Sequence, residues 1–563
     1  MSYADPKTAA ALTGNATVPN AQRLLWAGFF CIFAAGVGFG VRGAILVDWG
    51  RAFAFTQAEL GEITGGGLVG FGIIIILGSL IADKVGYGTL MILAFIMHVL
   101  SAILQMCTPL VFDAFGRDGV YWSLYIAMFM FSIANGICEV VVNPLVAALF
   151  PKEKTHYLNI LHAGWPGGLI AGGVVAYVCN DVVKVHWIIQ MSMFLVPVAI
   201  YGVMMAGQHF PRSEASQAGV SYATMLAEFA APVLLLLLVI HALVGYVELG
   251  TDSWITKITG SIMENRGAGV LLFIYTSGLM FALRFFAGPI EHAISPLGLL
   301  FSCAVIAAIG LTMFGHIEGV VMCVLAATVY GVGKTFFWPT MLAVVSERFP
   351  KGGALTLGAV GGVGMLSAGL LGGPGIGFQQ DYYASKQLKE KAPATYQRYA
   401  AEKENTFLGF FEAKGLDSAK VGLLVLEDKV LTNRKEAVKA ADSTVKKAKE
   451  TAATDAEKEL TLTLRQLRES TRKEPKELAA WWEDNKQYAA DDANPVEKAT
   501  LFGGQMALQL TAIVPAIMAV LYLVLILYFR VFHGGYKPVV IDEVKSMDAA
   551  MEKALGAPGS AEA

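Results

Sequence analysis

Charged side chains are scarce in this sequence. They make up 15% of its 563 residues, against roughly a quarter in soluble domains. Hydrophobic residues reach 55% and mean hydropathy is +0.56, so water is not the principal solvent of this chain. A formal net charge of −3 leaves no basic footprint for nucleic acid. Cysteine is sparse too. Cys31, Cys107, Cys138, Cys179, Cys303 and Cys323 lie in or beside apolar stretches without metal-ligand spacing. They read as small apolar packing residues rather than a disulfide framework. There is no H-E-x-x-H and no nucleophile–base pairing, so nothing points to an enzyme or to a bound cofactor. No cleavable signal peptide precedes the first apolar run near Leu24, which is long enough to act as its own insertion signal.

The little charge present is unevenly placed. Residues 380–499 hold 22 of the 42 Lys+Arg and 22 of the 45 Asp+Glu. The rest is a membrane body. A span needs about 20 mostly apolar residues, and twelve such runs occur, at 24–47, 63–82, 89–110, 122–149, 158–179, 187–206, 229–250, 267–288, 296–315, 318–346, 353–376 and 503–530. The fold class is therefore an all-α membrane bundle of twelve transmembrane helices in two six-helix halves. The expected organisation is an N-terminal half (1–206), a connector (207–228), spans 7–11 (229–379), a charged insert (380–499), span 12 (500–530) and a tail (531–563). The insert is rich in Ala, Lys and Glu, with opposite charges three or four apart, and favours helix. It reads as a solvated spacer, or as a helical cap over the mouth.

Similar landmarks recur in the two halves. Glu139 in span 4 precedes Pro144 by five residues, and the chain leaves at Phe150-Pro151-Lys152. Lys334 in span 10 precedes Pro339 by five, and the chain leaves at Phe349-Pro350-Lys351. A Gly-rich helix follows each, "HAGWPGGLIAGG" from His162 and "GAVGGVGMLSAGLLGG" from Gly358. Duplicated halves are a common plan for transporters. Short-loop basic residues set orientation. Lys7, Arg23, Lys84, Lys152, Lys154, Arg212, Arg348, Lys351, Arg530 and Lys537 fall on one side, and Arg51, Arg117, Lys184, Lys257 and Arg266 on the other. Both termini are thus expected in the cytoplasm and the insert outside, in a multi-pass protein of the inner (cytoplasmic) membrane.

An ionisable group at membrane depth is costly, so it faces a cavity or a partner. Arg42, Glu139, Glu248 and Lys334 fall one apiece on spans 1, 4, 7 and 10. They form either a polar cavity of near-zero net charge or a pair of salt bridges joining the halves. A balanced cavity suits a neutral polar solute. Glu139 is the candidate proton carrier, with His162 a possible partner. Gln190 and Trp338 are candidate solute contacts. Arg284 in span 8 is a candidate for the cavity lining or for a gate.

Two motifs resemble a known family. "SLIADKVGYG" (Ser79 to Gly88) after span 2 resembles the major facilitator signature G-x-L-A-D-R-x-G-R-K, and implies that Asp83 and Lys84 take part in a gating latch. "NGICEVVVNPLVAALFPKEKTHYLNILHAGWPGG" across spans 4 and 5 resembles the fucose/glucose/galactose–proton symporter branch, as do "GYVELGTDSW", "LRFFAG" and "FWPTMLAVVSERFP". The resemblance implies that Glu139 is the proton-linked carboxylate, with Asn143 and His162 near the sugar. Where that branch often has an acidic residue in span 1, this chain has Arg42-Gly43, with Asp48 nearer the outer surface. Arg42 and Asp48 are candidate proton-coupling residues beside Glu139, with either Arg42 or Lys334 as the cation that could stand opposite it.

The reading that follows is a monomeric secondary transporter in the lipid bilayer. It would move a monosaccharide or similar solute, with the proton as coupling ion or by facilitation alone. Two alternatives stand beside it: a proton-antiport exporter of amphipathic compounds, and a non-transporting sensor that uses the external insert.

Overall fold

The computed structural model describes residues 20–539 apart from 54, 56, 403, 410, 441–442 and 470–472. The expectations for residues 1–19 and for most of the tail, 540–563, lie outside it. A bilayer offers the backbone no donor or acceptor, so apolar runs close their hydrogen bonds as helices. Among the described residues, eleven helices are long and apolar enough to cross a membrane. Span 5, Lys154–Tyr177, is the twelfth. Its His, Asn and Gly content lowers its hydropathy, and it packs between span 1 (Ala21–Phe53) and span 8 (Arg266–Arg284). The lipid-facing side is plain in span 12, where Ile513, Ile517, Val520, Val524, Leu527 and Val531 are exposed at steps of three and four. All six cysteines are free and five are buried, as expected of packing residues.

The duplication is visible in the backbone. Span 1 meets span 5 where Gly40 faces Gly172: a Cβ on Gly40 would lie 3.1 Å from the Gly172 Cα. Span 7 (Pro232–Ile262) meets span 11 the same way, with Gly250 2.6 Å from the Gly372 Cα by the same measure. Phe150 and Phe349, where the chain leaves spans 4 and 10, share their conformation (φ −130°, ψ 62° and φ −125°, ψ 53°). Small residues also join the halves. Span 2 (Gln57–Val85) lies on span 11 with Ser79 against Gly358, and span 5 lies on span 8 with Phe281 3.0 Å from a Cβ on Gly167. Such close approach is what glycine permits in a membrane bundle.

A paired substitution tests this packing. A Cβ on Gly245 would collide with the Gly364 backbone, whereas one on Gly43 meets nothing within 4 Å. Gly245→Ala should cost about 1–3 kcal/mol through overpacking. Gly43→Ala should stabilise by about 0.5–1 kcal/mol, because alanine loses less backbone freedom. Thermal unfolding of the two variants in detergent reads the difference.

The insert is built of packed helices. Helices Pro393–Tyr399, Ser418–Lys439, Ser443–Glu469 and Lys473–Asn485 bury a core of their own, including Leu388, Tyr399, Leu423, Leu424, Trp482 and Val496. Asp492 anchors it, accepting from Arg398 Nε at 2.7 Å and from Thr395 Oγ1 at 2.7 Å. The expected boundaries at 380 and 499 fall inside continuous helices, Gly373–Lys391 and Ala489–Thr511. Good helix formers carry both ladders out of the membrane body. One element was unforeseen in an all-α reading: a hairpin of β1 (Asn405–Phe407) and β2 (Phe411–Ala413).

Candidate functional site

Span 4 (Thr108–Leu149) places Asn143 one helical turn beyond Glu139. The Asn143 Nδ2 therefore donates to both the Glu139 carbonyl (3.0 Å) and its carboxylate Oε2 (2.6 Å). With its nitrogen so used, Asn143 presents Oδ1 to His162 Nε2 at 2.8 Å, which places the ring proton on Nε2. The His162 Nε2 also lies 3.9 Å from the Glu139 carboxylate. All three side chains are buried.

The C-terminal half supplies the charges facing this trio. Arg284, at the end of span 8, donates from Nε to the Thr335 carbonyl (2.8 Å), from Nη1 to the His162 carbonyl (2.6 Å) and from Nη2 to Glu248 Oε1 (3.4 Å). One guanidinium thus ties spans 5, 7, 8 and 10 together across the two halves. Lys334 pairs with Asp252. Asp252 and Glu248 stand four residues apart on span 7, where a π-helical turn, Tyr246–Gly250, interrupts the α-helix. Such turns are frequent at functional sites. Beside the Lys334–Asp252 pair lies a narrow crevice lined also by Thr276, Phe273 and Tyr330.

Three carboxylates and two cations therefore meet here. Both cations are bonded to the acids of span 7, while among the described residues the Glu139 carboxylate meets the neutral Asn143 amide and, at 3.9 Å, His162.

Arg42 does not stand opposite Glu139. Its guanidinium lies 3.8 Å over the Phe131 ring and 4.5 Å over Phe194, donating to Ser101 Oγ (3.0 Å) and the Gly38 carbonyl (3.3 Å). Phe131 is eight residues before Glu139 on the same helix, about 12 Å along the axis. The fixed charge facing Glu139 comes instead from Arg284, on the other half. Asp48 is half-buried six residues beyond Arg42 on the same span. Gln190 is buried on Trp187–Met193, which packs on spans 1, 3 and 5. Its amide makes no hydrogen bond among the described residues. Trp338 packs against His241, ring centroids 4.6 Å apart, and against Gly364 of span 11.

Asp83 accepts from Ser213 Oγ (3.0 Å) and Tyr87 OH (3.3 Å), and Lys84 lies 5.0 Å over the Tyr222 ring. Both residues thus hold the connector, which in turn packs on span 11 through Ser213 and Gly353. On this same face the halves are bonded directly. Thr155 Oγ1 donates to Glu347 (3.3 Å), Asn159 Nδ2 to Thr340 Oγ1 (3.2 Å), and Lys154 Nζ to the Ser346 carbonyl (3.2 Å) and to Glu214 (2.6 Å). The connector face is closed. Close by, burial and the neighbouring carboxylates of Glu347 and Glu153 push Glu291, in the short helix Ala287–Ile294, up to about 7.

Sequence reasoning missed Asp252, although its i, i+4 spacing from Glu248 was a usable signal. It also missed the Thr155, Asn159 and Glu347 closure, which joins residues about 190 apart in the chain and has no sequence signal.

Residues 28–373 match the family model described as Major Facilitator Superfamily. No curated protein matches the chain. Among solved structures the fold is similar to the fucose:proton symporter FucP of E. coli in the outward conformation. That match has 17% identity and a TM-score of 0.53, and covers 64% of this chain and 92% of that one. It is also similar to the proton:xylose symporter XylE bound to 6-bromo-6-deoxy-D-glucose (12%, TM-score 0.50, 62% and 86%). A third match is a bacterial homologue of the human lysosomal transporter Spinster, inward-facing and unoccupied (12%, TM-score 0.52, 90% and 97%). At these identities the likeness is one of fold.

Proposed function

Because this chain belongs to the Major Facilitator Superfamily, whose members are transporters and not enzymes, we propose that it carries a monosaccharide or similar neutral polyol by alternating access, together with one proton held on Glu139. The observation that carries this reading is the uneven pairing at the site. Arg284 and Lys334 are bonded to Glu248 and Asp252, and among the described residues the Glu139 carboxylate accepts its hydrogen bond from the neutral Asn143 amide. Burying an ionised carboxylate against neutral dipoles is expensive, so Glu139 takes up a proton when the halves close over it and releases it when water returns. Balanced charge around it leaves no net field for an anionic solute, while Asn143, His162 and Trp338 offer hydrogen bonds and an aromatic face to a sugar. The fucose and xylose symporters named above share this fold, and their names pair a sugar with a proton.

Orientation follows from the basic residues: termini and connector in the cytoplasm, insert outside, in the cell membrane. Uptake by proteoliposomes across a panel of hexoses, pentoses and polyols, with and without an imposed pH gradient, tests the reading. Gradient-driven accumulation of at least one member is expected. Flux of none, or flux indifferent to the gradient, would sink the proposal.

A further inference from the structure

The insert reaches back to the membrane body through the β1–β2 hairpin. Its neck is tied to the insert's own core by the Ala400–Leu416 bridge and by hydrogen bonds from Ala401 N to the Gly415 carbonyl (2.9 Å) and from Asp417 N to that of Tyr399 (2.8 Å). Further along, Phe407 leaves the insert. Its ring stacks on Phe378 of span 11 (centroids 5.8 Å, planes 26° apart). It fits where span 11 has no side chain: a Cβ on Gly375 would lie 2.9 Å from Phe407 Cζ and 3.0 Å from the Tyr246 hydroxyl. Tyr246 opens the π-turn that carries Glu248. One aromatic side chain of the insert thus meets span 11 at the glycine that the Tyr246 hydroxyl of span 7 also approaches, and Tyr246 is two residues before Glu248 in the chain.

Three features mark this contact as movable. Two three-residue strands make a pairing too short to hold its position unaided, so docking of Phe407 locates the hairpin. Phe407 is not part of the insert's buried core, so the insert does not need that docking in order to fold. The tip beyond it, with Leu408 and Phe411 each 51% exposed and Gly409 at φ +77°, has not buried its own apolar surface. The Tyr246 hydroxyl makes no protein hydrogen bond among the described residues and is half-buried, a polar group positioned for a visitor.

We propose that the β1–β2 hairpin is a lid on the insert face of the seam between spans 7 and 11, closed by Phe407 seating on Gly375 over Tyr246. The lid rests on the transporter reading for its purpose, admitting solute toward the Glu248 and Arg284 side of the site, but not for its geometry. With the connector face bonded shut as well, the structure is closed at both faces.

The test uses the full chain in proteoliposomes and a membrane-impermeant maleimide added from the insert face. Peptide mass spectrometry separates the engineered thiol of Y246C from the six native ones. Y246C is expected to be protected. Y246C/F407A should label about tenfold faster, the ratio set by losing one aromatic pair, and Y246C/F407W should regain protection. Should F407A impair folding, Y246C/G375A provides a second route, because its methyl group displaces Phe407 with the hairpin intact. Equal labelling in Y246C and in both displaced variants would overturn the lid. Faster labelling in a protein that moves no sugar would uphold the lid and reject the solute assignment, so the two failures are separable.

Discussion

Glu139→Gln is expected to abolish accumulation driven by a pH gradient while leaving solute exchange between equal compartments intact. The amide has the shape of the protonated acid and keeps a partner for Asn143, 2.6 Å away, so the closed arrangement survives. It cannot release a proton when the site opens. Linkage between two ligands typically amounts to about 5–150-fold in affinity. In the variant that factor should fall to about one, so that solute affinity no longer changes between acidic and alkaline buffer. Counterflow and gradient-driven uptake measured on the same vesicles separate the two activities. Undiminished accumulation by Glu139→Gln would move the proton to another group.

Arg284→Met is expected to have the largest effect on stability. Its guanidinium satisfies the Thr335 and His162 carbonyls and pairs with Glu248, all in the buried interior. Removing it leaves Glu248 as an uncompensated buried charge, a loss of roughly 3–5 kcal/mol. Arg284→Lys should rescue little, because a single ammonium cannot reproduce three bonds made by a planar fork. The double variant Arg284→Met/Glu248→Gln should be more stable than the sum of its parts, since no charge is then stranded. Midpoints of thermal unfolding in detergent check all three. An unchanged midpoint for Arg284→Met would mean that the halves are held elsewhere.

The cost of exposing a peptide group to lipid is why so much of the fold was legible in advance. Runs of about 20 apolar residues can become only spanning helices, and eleven of the twelve appear as such by length and apolarity. The glycine runs from His162 and Gly358 signalled close helix contacts, and they form the matching seams of spans 1 with 5 and 7 with 11. Glu139, Asn143 and His162 were singled out in advance by the resemblance of spans 4 and 5, but that the three bond to one another is seen only in the packed structure. The hairpin was not legible, because two strands of three residues leave no periodicity to detect against helical surroundings.

The assignment of partners to the ionisable groups was beyond the reach of the sequence. Composition and spacing determined that this chain is a helical membrane protein of duplicated halves with a handful of buried charges, since solvent cost acts on each residue separately. Which charge meets which depends on helix rotation and on contacts between residues far apart in the chain, and these emerge only when the bundle packs. Arg42, one of the two cations the sequence offered as a partner for Glu139, is held instead between Phe131 and Phe194. Arg284 arrives from the other half, Asp252 takes Lys334, and Glu139 is left with neutral hydrogen-bond partners. That arrangement, set by tertiary packing alone, is the ground for proposing Glu139 as the proton-bearing carboxylate.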